Sequence, residues 1–115
     1  MELTMLHRTL LFDTYGETLT EKQKTCLDLR YNQDLSLGEI GELEGISRQA
    51  VRDNIVRAEA QMLELEEKIG AVRRALLMEE TAEDLKAIAS ELSSLGPKGE
   101  ALSQRILSAA KRIEE

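Results

Sequence analysis

Three arginines, Arg48, Arg52 and Arg57, fall within the segment Ser47–Ala58 against a single acid, Asp53, a local charge of +2 in a chain whose formal net charge is -7. Guanidinium groups at such spacing suit recognition of an anion rather than bond-breaking chemistry: each can hold a phosphate or the edge of a guanine through paired donors. Gln49 adds an amide that can pair with adenine, and Ser47 with Arg48 opens a helix whose first N–H groups also favour phosphate. The candidate binding residues are therefore Ser47, Arg48, Gln49, Arg52 and Arg57. Asp53 on the same face opposes phosphate unless it accepts from cytosine or pairs with an arginine.

These side chains must be carried by a helix held at a fixed angle to a second one. Ser36 with Glu39 three residues on predicts a capped helix start, and Gly45 predicts a sharp turn. Ser47 then caps the next helix, while Gly41 leaves room for two helices to cross closely. Ile40, Ile46, Val51 and Ile55 fill the wedge between them. The pattern is that of a helix-turn-helix, and with Val51 and Ile55 turned inward the wheel turns Gln49, Arg52, Asp53 and Val56 outward.

The rest of the chain reads as helix too. Of 115 residues, 42% are hydrophobic but only 3% aromatic, with no Trp and one Pro, so the core is aliphatic and the expected class is all-α. Glu2 to about Thr14 is predicted as a first helix ending near Gly16. Thr18 or Thr20 opens a second, which with Thr20 as cap runs from Glu21 to about Tyr31. Four short helices between residues 2 and 46, with the start of a fifth, are expected to enclose one small core. The expected division is a head over residues 1–60 and an extension with C-terminal helices over 61–115.

From Val51 onward, apolar residues at Ile55, Ala58, Met62, Leu65, Ile69, Val72 and Leu76 alternate steps of four and three, the signature of a coiled-coil seam. The reading is one rod that runs far beyond the head, with Gly70 tolerated beside the seam at a cost of about 1 kcal/mol relative to Ala. Met62, Leu65, Ile69, Val72 and Leu76 are the candidate oligomerisation residues, in a homodimer. Lys68 would face Arg73 in a parallel pair, which favours an antiparallel or multi-helix arrangement. A further amphipathic stretch, Ala82, Leu85, Ala89 and Leu92, stops at Leu95-Gly96-Pro97. A last helix carries Leu102, Ile106, Ala109 and Ile113.

Leu11-Phe12-Asp13-Thr14-Tyr15, Leu19-Thr20-Glu21-Lys22-Gln23, Asp34-Leu35-Ser36-Leu37-Gly38-Glu39-Ile40 and the run Ser47 to Ile55 resemble, in that order, the YlxM family of small bacterial helix-turn-helix proteins. The resemblance covers about residues 6 to 70. That family's head is similar to region 4 of bacterial sigma factors, and Ser47, Arg48, Val51 and Arg52 match the start of the helix that lies in the DNA major groove there. The resemblance implies a sigma-region-4-like head and departs after about Val72; the apolar spacing adds a long helix and C-terminal helices forming a bundle or coiled coil. The resemblance also implies a regulatory role around the signal recognition particle, with DNA or RNA and components of that particle as partners.

Two functions are compatible with these features. In one, the head binds nucleic acid through the arginine-bearing helix. In the other, the chain is an adaptor whose acidic helical surface binds the particle's GTPase or receptor and whose arginines pair with its own surplus acids. An enzyme is not expected, since no phosphate-binding glycine loop, metal-spaced cluster or nucleophile–base set is present. No cofactor or metal is expected: His7 stands without a second ligand, and Cys26 at helical spacing reads as a small buried hydrophobe. No apolar run is long enough to span a membrane, and the single cysteine and the absence of a leader-like start point to the cytoplasm.

Overall fold

A computed structural model describes residues 3–115, and Glu2 of the expected first helix lies outside the described residues. Helices begin where short oxygen-bearing side chains can take up the free N–H groups of a first turn. Thr4 accepts from His7 N–H and opens α1, Met5–Tyr15. Thr20 and Gln23 form a reciprocal capping box at the start of α2, Glu21–Tyr31. Ser36 and Glu39 form another at the start of α3, Leu37–Glu44. Ser47 accepts from Ala50 N–H to open α4, Arg48–Ile69. Two further helices follow, α5 over Ala71–Ser93 and α6 over Pro97–Glu114. Among the described residues there is no strand. The protein is all-α.

The expected four short helices before α4 are three, with a single 3-10 turn at Gly16–Thr18 joining α1 to α2. Only residues 16–19 lie between α1 and the Thr20 cap, too few for another α-helix. The chain forms two compact units, Met1–Val72 and Arg73–Glu115.

In the first unit, α1, α2 and α3 all lie against α4. Leu11, Leu27, Ile40, Val51, Ile55 and Met62 are buried between them, with Cys26 and Ala58 filling the narrow spaces. Each large side chain so buried contributes about 1.5–3 kcal/mol relative to exposure. Ile46 is only half-buried. Gly45 ends α3 in the left-handed region at φ 67°. Gly41 is required for a different reason: a Cβ there would sit 2.7 Å from the Ile46 carbonyl oxygen, so any other residue would wedge α3 away from the turn.

The apolar spacing predicts a single rod, and the structure corrects this. Helix α4 stops at Ile69, and Gly70 adopts φ 68°, its N–H donating to the Glu66 carbonyl at 2.8 Å. Breaking the helix there frees the first N–H groups of α5, and nearby groups take them up. Glu66 Oε1 accepts from Val72 N–H at 3.0 Å and from the Tyr15 hydroxyl at 2.6 Å, while Ala71 N–H donates to Tyr15 Oη at 3.3 Å. A carboxylate at a helix N-terminus is favoured by both the free donors and the helix dipole. These contacts make a left-handed stop at Gly70 better than an unbroken helix.

In the second unit, Gly96 at φ 102° precedes Pro97 at the first position of α6. A Cβ at Gly99 would collide with the Leu92 carbonyl oxygen, so the turn closes only over glycine. Ala82 and Ala89 on α5 and Ser103 and Ala110 on α6 are buried, each pair one heptad apart, the small residues that close helix approach needs. Lys86 Nζ reaches Glu114 Oε1 at 2.6 Å, and an open groove is lined by Met78 and Glu79 of α5 together with Ile113 and Glu114 of α6. The two helices are therefore antiparallel. The Glu114 hydrogen bond raises the Lys86 pKa.

Candidate nucleic-acid interface

The outward side of α4 follows from what α4 buries. With Val51, Ile55, Ala58 and Met62 against the core, Ser47, Arg48, Gln49, Arg52, Asp53, Val56 and Arg57 are all exposed. The candidate binding residues are thus all accessible, with Arg48 and Arg57 at opposite flanks of the outward face. Val56, 53% exposed between Arg52 and Arg57, adds an apolar contact of the kind that suits a thymine methyl.

The pairing of charges separates these arginines from the other cations of the first unit. Arg8 is bonded to Glu59 at 2.9 Å, Lys22 to Glu44 at 3.4 Å, Lys24 to Glu17 at 3.3 Å and Lys68 to Glu64 at 3.2 Å. Arg30 donates to the Leu35 carbonyl at 2.8 Å. Among the described residues, Arg48, Arg52 and Arg57 have no such partner, although the same unit carries a surplus of acids. Asp53 is not their counter-ion: its Oδ1 accepts from Gln49 Nε2 at 3.0 Å. That bond leaves the Gln49 carbonyl oxygen free and commits one amide donor. Ser47 Oγ is used as the helix cap.

Sequence spacing gives no sign of Arg8, Arg30 or Tyr31, which line a cavity together with Arg52. Their convergence comes from α1, α2 and α4 meeting, so no local pattern could have signalled it.

The expected oligomerisation residues differ in exposure. Met62 and Val72 are buried in the chain's own fold, Leu65 and Leu76 are half-buried, and Ile69 is 47% exposed. Among the described residues no helix is long and apolar enough to cross a membrane.

Comparison with known families agrees with this geometry. Residues 3–98 match the family model UPF0122, described as "Putative helix-turn-helix protein, YlxM / p13 like". The chain belongs to this family. A UPF0122 protein of Acetivibrio thermocellus is 44% identical over 110 residues, covering 92% of this chain and 90% of the relative. One from Halalkalibacterium halodurans is 44% identical over 101 residues, covering 79% and 93%. A third, from Thermoanaerobacter sp. strain X514, is 49% identical over 74 residues, covering 64% of this chain and 63% of its own. Within the matched residues, α3, Gly45 and α4 form a helix-turn-helix.

Proposed function

We propose that this UPF0122 protein binds nucleic acid through the exposed face of α4, with Arg48, Arg52 and Arg57 on phosphates and base edges and Ser47 and Gln49 beside them. The observation that carries the reading is the selective lack of partners: among the described residues the other side-chain Lys and Arg cations of the first unit are engaged, and these three are not. An acidic protein gains little from counterion release over its whole surface, so affinity must come from this patch. On the YlxM resemblance, the setting is the signal recognition particle pathway and the role is regulatory.

The test is a binding titration at low salt against duplex DNA fragments and against the particle's RNA, with the wild type and an Arg48→Gln/Arg52→Gln variant. Binding that falls at least about tenfold in the variant, roughly 1.4 kcal/mol, supports the proposal. Failure of both probes, or equal binding by the variant, overturns it. In that event the adaptor reading, docking on the particle's GTPase or receptor through acidic helices, is the one to pursue by calorimetry.

A further inference from the structure

We propose that the cavity between α1, α2 and α4 is a phosphate-binding site, built by Arg8, Arg30, Arg52 and the hydroxyl of Tyr31. Its volume is about 220 Å³. A water's share of liquid volume is about 30 Å³, so the space admits a phosphate group with part of its hydration. Three arginines from three helices line it, against one carboxylate, Glu59, which is already bonded to Arg8 Nε. Like charges brought together from separate elements repel unless an anion is shared between them. The first unit as a whole carries more acids than bases.

Tyr31 supplies an independent observation. Its ring is held edge-on to Phe12, with centroids 6.0 Å apart, and its hydroxyl oxygen is buried with no well-formed hydrogen bond among the described residues, the Glu59 carboxylate lying beside it. A buried hydroxyl left unbonded costs about 1–3 kcal/mol, an arrangement that a ligand acceptor would relieve. Burial, reinforced by the Glu59 carboxylate, pushes the phenol pKa up, so the group stays a donor. Among the described residues Arg52 has no bonded partner, Arg8 uses only Nε, and Arg30 uses one donor on the Leu35 carbonyl, which leaves donors of all three for an anion.

The phosphate can come from a nucleic-acid backbone passing over α4 or from a free phosphorylated small molecule. Both present anionic non-bridging phosphate oxygens to the cavity, a diester as a monoanion and a monoester largely as a dianion. The site stands on its own geometry and does not depend on the duplex reading above.

The experiment is an NMR titration of the full chain with inorganic phosphate against chloride at constant ionic strength, following the arginine Nε–H and Tyr31 ring signals. Saturable shifts at Arg30, Arg52 and Tyr31 are expected, with affinity falling about tenfold in Arg30→Gln. Tyr31→Phe should weaken phosphate binding while leaving the Tm of the free protein unchanged or higher, a combination a purely structural tyrosine would not give. Lys68→Gln, on the far part of α4, should bind phosphate as the wild type does. Shifts that never saturate, or that persist equally in Arg30→Gln and Tyr31→Phe, overturn the site. A duplex titration then separates the sources. If phosphate competes with the duplex and Arg30→Gln weakens duplex binding, the backbone fills the cavity; if Arg30→Gln leaves duplex binding unchanged, a free phosphate ester does. Phosphate binding with no binding of either the duplex or the particle's RNA would reject the nucleic-acid function and leave the cavity site intact.

Discussion

The hydroxyl of Tyr15 donates to the carboxylate of Glu66 at 2.6 Å, tying the end of α1 to the last turn of α4. The same Glu66 oxygen takes the N–H of Val72, so one carboxylate both holds the tyrosine and caps the next helix. Tyr15→Phe removes a donor to a charged acceptor without opening a cavity. It is expected to destabilise the protein by about 1.5–3 kcal/mol, read as a lower urea midpoint with an unchanged m-value. A midpoint equal to that of the wild type would mean the hydrogen bond contributes nothing net.

Gly70 gives a test of sign. At φ 68°, an alanine is strained by about 1–2 kcal/mol, so Gly70→Ala should lower stability. In an uninterrupted helix the same change would raise stability by about 1 kcal/mol and increase helical ellipticity. Chemical denaturation with circular dichroism decides between them.

The arginine face is expected to leave its mark in the salt dependence of binding. For each phosphate no longer neutralised, the slope of log K against log salt should fall by about 0.9 on duplex DNA. Arg48→Gln, Arg52→Gln and Arg57→Gln should therefore each flatten the plot, whereas Lys22→Gln, whose ammonium is paired with Glu44, should not. An unchanged slope across the three arginine variants would remove them from the interface.

Glu39 provides a pH signature. The Ser36 backbone N–H and then its side chain hold the Glu39 carboxyl below its ordinary value of 4.5. The folded pKa lies below the unfolded one, so the stabilisation is complete above the unfolded value and is lost as pH falls through the folded value. The stability gap between wild type and Glu39→Gln should be widest near neutrality and should close as the solution is acidified below the ordinary carboxylate range. A gap independent of pH would show that the charge on the cap has no influence.

Cys26 is fully buried, and burial, with the Glu44 carboxylate adding to it, pushes its thiol pKa up. Both effects suppress the thiolate that reacts. Labelling by a disulfide reagent should be slow in the native protein and should accelerate with urea in step with opening of the core. Rapid labelling in native buffer would contradict the packing of α2.

Local signals carried most of the first unit into the sequence. Thr20, Ser36 and Ser47 cap the helices they were expected to cap, and Gly45 turns where expected, because each acts within four residues of itself. Gly70 misled for the converse reason. Its neighbours keep the apolar spacing, and the contacts that make it a stop come from Tyr15, far away in the chain. The three arginines of α4 were legible from charge density alone, but their lack of partners was not, since pairing depends on where distant acids fall. Arg8 and Arg30 could not be joined to Arg52 from spacing, because only the packing of three helices brings them to one cavity.

With no tryptophan and two tyrosines, the chain carries a pair of native optical reporters. Tyr15 sits on the carboxylate that terminates α4, and Tyr31 borders the cationic cavity. Ultraviolet emission from the unlabelled protein therefore reads both places, and the two single phenylalanine variants separate one reporter from the other.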